Sequence, residues 1–245
     1  MLSIDTAALR RRLREGWAAC TAYLFDAACP GCGRAADAPE PCAGCRHRLE
    51  RRVPPWCRRC GEPLLEGQPC SADHRALTGI DFHRAPFRYR GTGAGLVHRL
   101  KFQRDLGAGL FLARAMVRVI APWAHGPGRR GVVVPVPRHR RKARRAGFDP
   151  AAWLAAELAH RLDLRVAERA LLRTRETLPQ ADPRVVNREA NVAGAFACVS
   201  PWAVAGAPVL LVDDVLTSGA TARACAEALR AGGARSVTLV TGARA

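Results

Sequence analysis

Two adjacent carboxylates, Asp213 and Asp214, follow the apolar run Val209-Leu210-Leu211-Val212 and precede Thr217-Ser218-Gly219-Ala220-Thr221. The apolar run reads as a buried strand. The segment after it reads as a loop opening a helix that reaches about Arg230. Hydroxyls, a glycine and a helix N-terminus together make an anion site, because free backbone N–H groups and the helix dipole favour a phosphate. Acidic residues just before such a loop suit sugar hydroxyls or a magnesium ion. A phosphorylated sugar satisfies both halves. An ordinary strand–loop–helix of a parallel sheet gives a similar run, but paired acids at the end of a buried strand are costly to desolvate unless they have partners.

A second set of chemistry-bearing residues lies upstream. Cys29-x2-Cys32 and Cys42-x2-Cys45 are followed, 28 residues on, by Cys57-x2-Cys60 and Cys70-x3-His74. Gly33 and Gly61 occupy equivalent places after the second cysteine of their knuckles. This is an internal repeat, so each half should be one structural unit. Each half supplies four sulfur or imidazole ligands, the set a closed tetrahedral zinc site needs. Two structural zinc ions are therefore expected, supplying folding energy to a segment too short for a core of its own. His47 offers an alternative ligand, and interleaved pairing of the knuckles also satisfies the spacing. The arginines between them (Arg46, Arg48, Arg51, Arg52, Arg58, Arg59), with Trp56, suit either a nucleic-acid face or a solvated basic one. Cys20, Cys198 and Cys225 stand alone and read as small core residues.

Residues 80–90 alternate around Phe82, Phe87 and Tyr89 and suit a short strand or strand pair. Apolar spacing is helical from Ala94 to about Ile120, with a break near Gly107 and Gly109 and an end at Pro122. A second buried strand begins at Gly131 and closes on Pro135-Val136-Pro137. The basic run Arg138-His139-Arg140-Arg141-Lys142-Ala143-Arg144-Arg145 follows. A helix from Ala151 to Leu162 comes next, with Asp149 as N-cap and Pro150 at its first position. That places the basic run at the carboxyl edge of a sheet, where a diphosphate would be welcome. Strands are expected near 131–136, 164–167, 208–213 and 236–241. Residues 173–196 form a long polar stretch carrying Arg173, Arg175, Arg184 and Arg188, suited to closing over a bound anion.

The 245 residues carry a formal net charge of +18, and the sequence pI is about 11.0. Such a balance points to an anionic partner: nucleic acid, phosphates or a membrane surface. Only Lys101 and Lys142 are lysine, so Lys101, just before Phe102, stands out as a point charge. No run of 18 apolar residues argues for a membrane-crossing helix. The N-terminal pattern Leu9, Leu13, Trp17 is helical and arginine-threaded, with no signal-peptide core. A reducing, cytoplasmic setting follows, in which ten cysteines serve metal or catalysis. The expected organisation is a helical segment over 1–28, a double zinc ribbon over 29–78 and an α/β domain over 79–245.

The stretch Val209 to Thr221, VLLVDDVLTSGAT, resembles the phosphoribosyl-pyrophosphate motif of type I phosphoribosyltransferases. The whole order resembles the ComF family, zinc-ribbon-bearing, phosphoribosyltransferase-like proteins linked to natural transformation. It comprises paired zinc knuckles, Lys101-Phe102, the Pro135-Val136-Pro137 turn, the loop carrying Arg173, Thr177, Gln180, Arg188, Asn191, Ala195 and Phe196, and then the acidic motif. The resemblance runs from Cys29 onward. It departs at Ala146-Gly147-Phe148-Asp149-Pro150, where the family reads RGFNQ, and at Cys70-x3-His74, where the family is all cysteine. It implies an α/β fold with a type I phosphoribosyltransferase-like parallel sheet flanked by helices, preceded by a small zinc-ribbon module. It implies that Asp213 and Asp214 hold ribose hydroxyls and act as the catalytic acids, Asp214 serving as base if one is used. Thr217, Ser218, Gly219, Ala220 and Thr221 would cradle the 5′-phosphate. Lys101, Arg138, Arg144, Arg145, Arg173, Gln180 and Arg188 would meet the diphosphate. The implied cofactors are zinc and magnesium, and the implied partners are phosphoribosyl pyrophosphate, single-stranded DNA and the DNA-uptake machinery. Pentosyl transfer and a non-catalytic, regulatory sugar-phosphate site in a nucleic-acid-binding protein both satisfy this pattern.

Overall fold

The computed structural model describes residues 28–36, 40–65, 68–72, 74–124, 131–138, 147–175 and 192–245. The expectations for the N-terminal helix, Cys20, Arg144, Arg145, Thr177, Gln180, Arg184, Arg188 and Asn191 lie outside the described residues. In chain order the elements are α1 (Ala43–His47), β1 (Phe82–Arg84), β2 (Phe87–Arg88), α2 (Gly91–His98), α3 (Leu106–Ala124), β3 (Val132–Pro135), α4 (Pro150–Leu162), β4 (Arg165–Val166), β5 (Leu171–Arg173), β6 (Phe196–Cys198), β7 (Pro208–Leu216), α5 (Ala220–Ala231) and β8 (Ser236–Arg244).

A central strand is covered on both faces, and β7 and β8 are each buried at seven of nine positions. They pair with each other at the centre of a sheet ordered β1-β8-β7-β3-β4, parallel throughout, with β2 also along β8. Alternation sorts their side chains into two layers. Val209 and Leu211 join Val132, Val134, Val237 and Leu239 against α5 through Cys225, Ala226 and Leu229. Leu210 and Val212 join Val133 and Val240 against α2, α3 and α4 through Leu96, Leu112, Met116, Leu154 and Leu158. The chain is thus a mixed α/β structure with a parallel central sheet.

β7 and β8 each run three residues beyond the expected ends, because they support each other through Val215↔Ala243 and Leu216↔Arg244. Asp213 and Asp214 therefore lie within a strand and not after it. The helical stretch after Gly91 breaks earlier than its glycines suggest. Arg99–Gln103 form a π-turn, Arg104 is left-handed at φ 55°, and α3 starts at Leu106. Gly109 instead lies inside α3, where a Cβ would stand 2.6 Å from the Trp153 ring. Pro122 does not end α3, which continues to Ala124. In a last turn proline removes one bond, and burial of Trp123 and Ala124 compensates. By length and composition α3 is long and apolar enough to cross a membrane, with 19 residues and a mean hydropathy of 1.3. Its buried face (Ala108, Leu112, Met116, Ile120) accounts for that apolarity within the fold. β5 and β6, unforeseen as a pair, form an antiparallel ribbon joining Leu171 to Cys198 and Arg173 to Phe196. It is the stem of the long polar stretch.

The cysteine-rich segment packs on the β1–β2 side of the sheet. Arg52 N–H donates to Pro86 O, Arg88 N–H to Glu50 O and His83 N–H to Arg59 O, at 2.7–3.0 Å. The Thr92 hydroxyl at the start of α2 donates to Cys45 O at 2.9 Å. Glycine is demanded where α2 crosses β2: a Cβ on Gly93 would lie 2.3 Å from the Arg88 carbonyl oxygen. Gly93→Ala normally adds about 1 kcal/mol of helix propensity. Here it should instead lower the urea midpoint of unfolding, by an amount corresponding to roughly 1–3 kcal/mol.

Candidate functional site

Neighbouring residues on a strand point to opposite faces, so the two acids are not a side-by-side pair. Asp214 points into the α2–α4 layer and is 4% exposed. Its carboxylate meets Lys101 Nζ at 3.1 Å to Oδ2 and 3.3 Å to Oδ1. Lys101 reaches it from the π-turn, a local winding that recurs at functional sites. Arg99 pairs with Asp105, whose other oxygen accepts the Ala108 N–H at 3.0 Å, so both flanks of the turn are pinned. The lysine singled out by its rarity in the sequence is thus ion-paired to the buried acid.

Asp213 faces the α5 side and is only partly covered. Its Oδ1 accepts the Asp214 N–H at 2.8 Å. Burial, and next the Asp214 carboxylate, push its carboxyl up to about 7, with Lys101 opposing. Arg173, at the end of β5, lies over the Phe196 ring at 5.4 Å, and its field reaches the buried Cys225 thiol, as does that of Asp213. Arg173 is thus carried toward the same site by the β5–β6 stem.

The loop after β7 places Thr217 in solvent and half-buries Ser218 and Thr221. Gly219 takes φ +77° as the N-cap of α5, a conformation that favours glycine, and Ser218 Oγ accepts the Ala220 N–H at 3.5 Å. No acidic residue lies in the first turn of α5, so its N–H groups remain suited to an anion. Across the edge, Val136 N–H donates to Val212 O at 2.9 Å, holding the Pro-Val-Pro turn beside the acids. Arg138 follows and donates to Phe148 O at 3.4 Å.

The sequence pattern marks Asp149 as a helix cap. It does cap α4, accepting Ala151 and Ala152 N–H groups at 3.0 and 3.3 Å. It also belongs to the site. Burial raises its pKa, Arg138 lowers it, and the Asp214 carboxylate raises it further. Asp149 occupies the place of the asparagine in the pattern RGFNQ, so the departure adds negative charge beside Asp214. The spacing of a capping residue gives no signal of that second role.

The knuckles assort by repeat and do not interleave. Sγ atoms of Cys29, Cys32, Cys42 and Cys45 lie within 4.8 Å of one another, as do those of Cys57, Cys60 and Cys70 with the His74 ring nitrogen. Edges of 4.0 Å (Cys32–Cys42) and 3.5 Å (Cys60–Cys70, Cys57–His74, Cys70–His74) fit a tetrahedron. Zn–S bonds of about 2.3 Å require edges of about 3.8 Å. Both clusters could therefore hold zinc, and His47 takes no part. Second contacts suit thiolates: Cys42 N–H donates to Cys29 Sγ at 3.2 Å, and hydrogen bonding to Arg34 draws Cys32 down to about 6. Gly33 and Gly61 take φ of +75° and +67°, and a Cβ on Gly61 would stand 2.6 Å from His83 O.

The second cluster is joined to the sheet through His83. His83 Nδ1 lies 3.3 Å from Cys60 O, and Nε2 lies 2.9 Å from Thr241 Oγ1. Thr241 Oγ1 also lies 2.9 Å from Ala243 O. Burial, then the Arg244 charge, hold His83 neutral. Thr241 pairs with Asp213 across β7 and β8.

Elemental analysis should find two zinc ions per chain, one lost in Cys29→Ser/Cys45→Ser and the other in Cys57→Ser/Cys60→Ser. The raised Asp213 carboxyl means that the folded state holds its proton more tightly than the unfolded chain. Unliganded stability should fall as pH rises from about 4 to about 7. Asp213→Asn should flatten that decline, giving a Tm above wild type at pH 8 and close to it at pH 4 in thermal unfolding.

No family model matches the chain. It is 29% identical over 212 residues to a DNA utilization protein YhgH of Salmonella typhi, covering 85% of this chain and 80% of that protein. It is 28% identical over 215 residues to the protein of the same name in Escherichia coli K12, with 85% and 80% covered. With Competence protein F of Haemophilus influenzae it shares 27% identity over 193 residues, 77% of this chain and 83% of that one. These relatives, named for DNA utilization and competence and each matched over most of the chain, support the resemblance to the ComF family.

Proposed function

We propose that the carboxyl edge of the sheet is a phosphoribosyl-pyrophosphate site of the type I phosphoribosyltransferase kind, in a protein acting in DNA uptake. The observation that carries this reading is the Lys101–Asp214 ion pair beside a helix N-terminus with no acid in its first turn. A buried carboxylate and its paired cation next to an anion-binding loop match a ligand with hydroxyls in its middle and phosphates at both ends. Asp213, the more accessible acid, takes one ribose hydroxyl. Asp214 takes the other when Lys101 turns from it to the diphosphate. The 5′-phosphate lies on the N–H groups of the 217–221 loop, while Arg138 and Arg173 face the departing diphosphate. Gln180, Arg188, Arg144 and Arg145, which lie outside the described residues, would add charge and hydrogen bonds to the same diphosphate. If transfer occurs, positioning and charge stabilisation drive it, since a diphosphate is a good leaving group.

Magnesium suits this site: the Asp214 and Asp149 carboxylates both raise the proton affinity of Asp213, and Asp214 raises that of Asp149. Asp213 would hold the ion, which would neutralise diphosphate charge. The relatives named for DNA utilization and competence support the uptake role. A second reading, a single-stranded nucleic-acid binder whose sugar-phosphate site is regulatory, is favoured by the net charge of +18 and by the exposed Arg46, Arg48, Arg51, Arg58 and Arg59. Arg52 leaves that face, being 3% exposed and bound to Glu62 and Gly61 O. Calorimetry with phosphoribosyl pyrophosphate and magnesium should show binding by wild type, weakened at least about tenfold in Asp213→Asn/Asp214→Asn. Equal binding by both, or none by wild type, would remove the proposal.

A further inference from the structure

The carboxyl edge of the sheet continues past the phosphate loop. Leu216, just before Thr217, pairs with Arg244 on β8, and its carbonyl accepts the Ala245 N–H at 2.9 Å. On the other side of β8, Arg88 of β2 pairs with the same Arg244. Here a cavity of about 360 Å³ opens, lined by Glu50, Arg88, Tyr89, Arg90, Arg244 and Ala245. Its wall begins one strand spacing, about 4.8 Å, from the strand that feeds the loop.

The cavity carries surplus positive charge. Arg52, Arg88 and Arg244 converge on Glu62 at 3.0, 2.7 and 4.0 Å. Burial disfavours the Glu62 charge, yet these guanidiniums hold its carboxyl below the usual range. Three cations thus share one acid. Glu50 comes no nearer than 4.0 Å to Arg88, with both side chains about half exposed, an arrangement that neutralises little. Arg90 is exposed and has no acid partner among the described residues. It also begins α2, whose first turn contains no acid and whose N-cap makes no side-chain bond, so the positive end of that helix dipole adds to the field. Tyr89, packed partly against the core, contributes its remaining surface to the cavity wall.

We propose that Arg90, Arg88, Arg244 and Tyr89 form a second phosphate subsite, for the phosphodiester backbone of a single-stranded oligonucleotide whose neighbouring sugar-phosphate lies in the 217–221 loop. The proposal rests on the reading of that loop as a phosphate site. Phosphoribosyl pyrophosphate alone leaves the subsite unused: its diphosphate lies toward Arg138 after β3, whereas this cavity lies beyond β8, on the opposite side of β7. A polymer with a phosphate on every residue fills both positions, and Tyr89 offers a base a stacking face.

Fluorescence anisotropy of a labelled oligothymidylate over a salt series tests this, alongside calorimetry with phosphoribosyl pyrophosphate and magnesium. Arg90→Ala should weaken oligonucleotide binding roughly five- to tenfold at low salt and reduce the slope of log affinity against log salt by about 0.7, one phosphate contact on a single strand. Arg90→Glu should weaken it further, and both variants should bind phosphoribosyl pyrophosphate as wild type does. Unchanged affinity and slope in both variants, or no oligonucleotide binding by wild type, overturns the subsite. Loss of phosphoribosyl-pyrophosphate binding in Arg90→Ala overturns its independence. A wild type that binds oligonucleotide through Arg90 but not phosphoribosyl pyrophosphate removes the sugar-diphosphate reading and keeps the subsite.

Discussion

A carboxylate inside a sheet is stable only if something charged or polar comes to it, and Asp214 is met by Lys101. Much of the surrounding structure serves that meeting. A regular helix continuing from α2 into α3 would carry the lysine along a different path. The π-turn at Arg99–Gln103, the left-handed Arg104 and the Arg99–Asp105 pair redirect the chain. Removing either partner would leave the other without its counter-charge, the costly half of a broken ion pair. The site is consequently built on a charge balance that a ligand can exchange but that the unliganded protein must also keep.

The sequence announced the parts that obey strong local rules. Four apolar residues before two acids gave β7, and ligand spacing gave the eight metal-binding residues, while their division into two clusters by repeat came from the fold. Asp149 and Pro150 gave the start of α4 to the residue. What it concealed depends on partners distant in the chain. The added length of β7 and β8 comes from their mutual pairing. The continuation of α3 through Pro122 comes from what Trp123 buries. Alternation along a strand is a local rule, yet the adjacency of Asp213 and Asp214 suggested a pair, where the fold sends them to opposite layers. The convergence of Arg52, Arg88 and Arg244 on Glu62 joins residues whose spacing carries no pattern.

The cysteine-rich segment is more than an appendage. Cys57 and Cys60 are part of the same apolar cluster as Val209 and Leu211. Through the neutral His83, the carbonyl of Cys60 is linked to Thr241, the cross-strand partner of Asp213. A metal holding Cys60 would fix one end of that chain of contacts, and β8 fixes the other. The departure to aspartate at position 149 acts on the opposite layer, where it crowds Asp214 with like charge and gives Arg138 a nearby acid.

The central place of β8 also constrains how the molecule comes together. The backbone N–H of Val237 bonds to Asp81, a contact between residues 156 positions apart, and β1, β2 and β7 all depend on β8 for their neighbours. Local elements such as the metal knuckles and α4 close small loops and can form early. The sheet must wait for a strand made after nearly everything it joins, so its assembly carries the entropic delay of a highly non-local topology. During that wait, the apolar edges of β1 and β7 have no partner, and knuckles already clamped on metal would be the ordered surface against which the late strand docks.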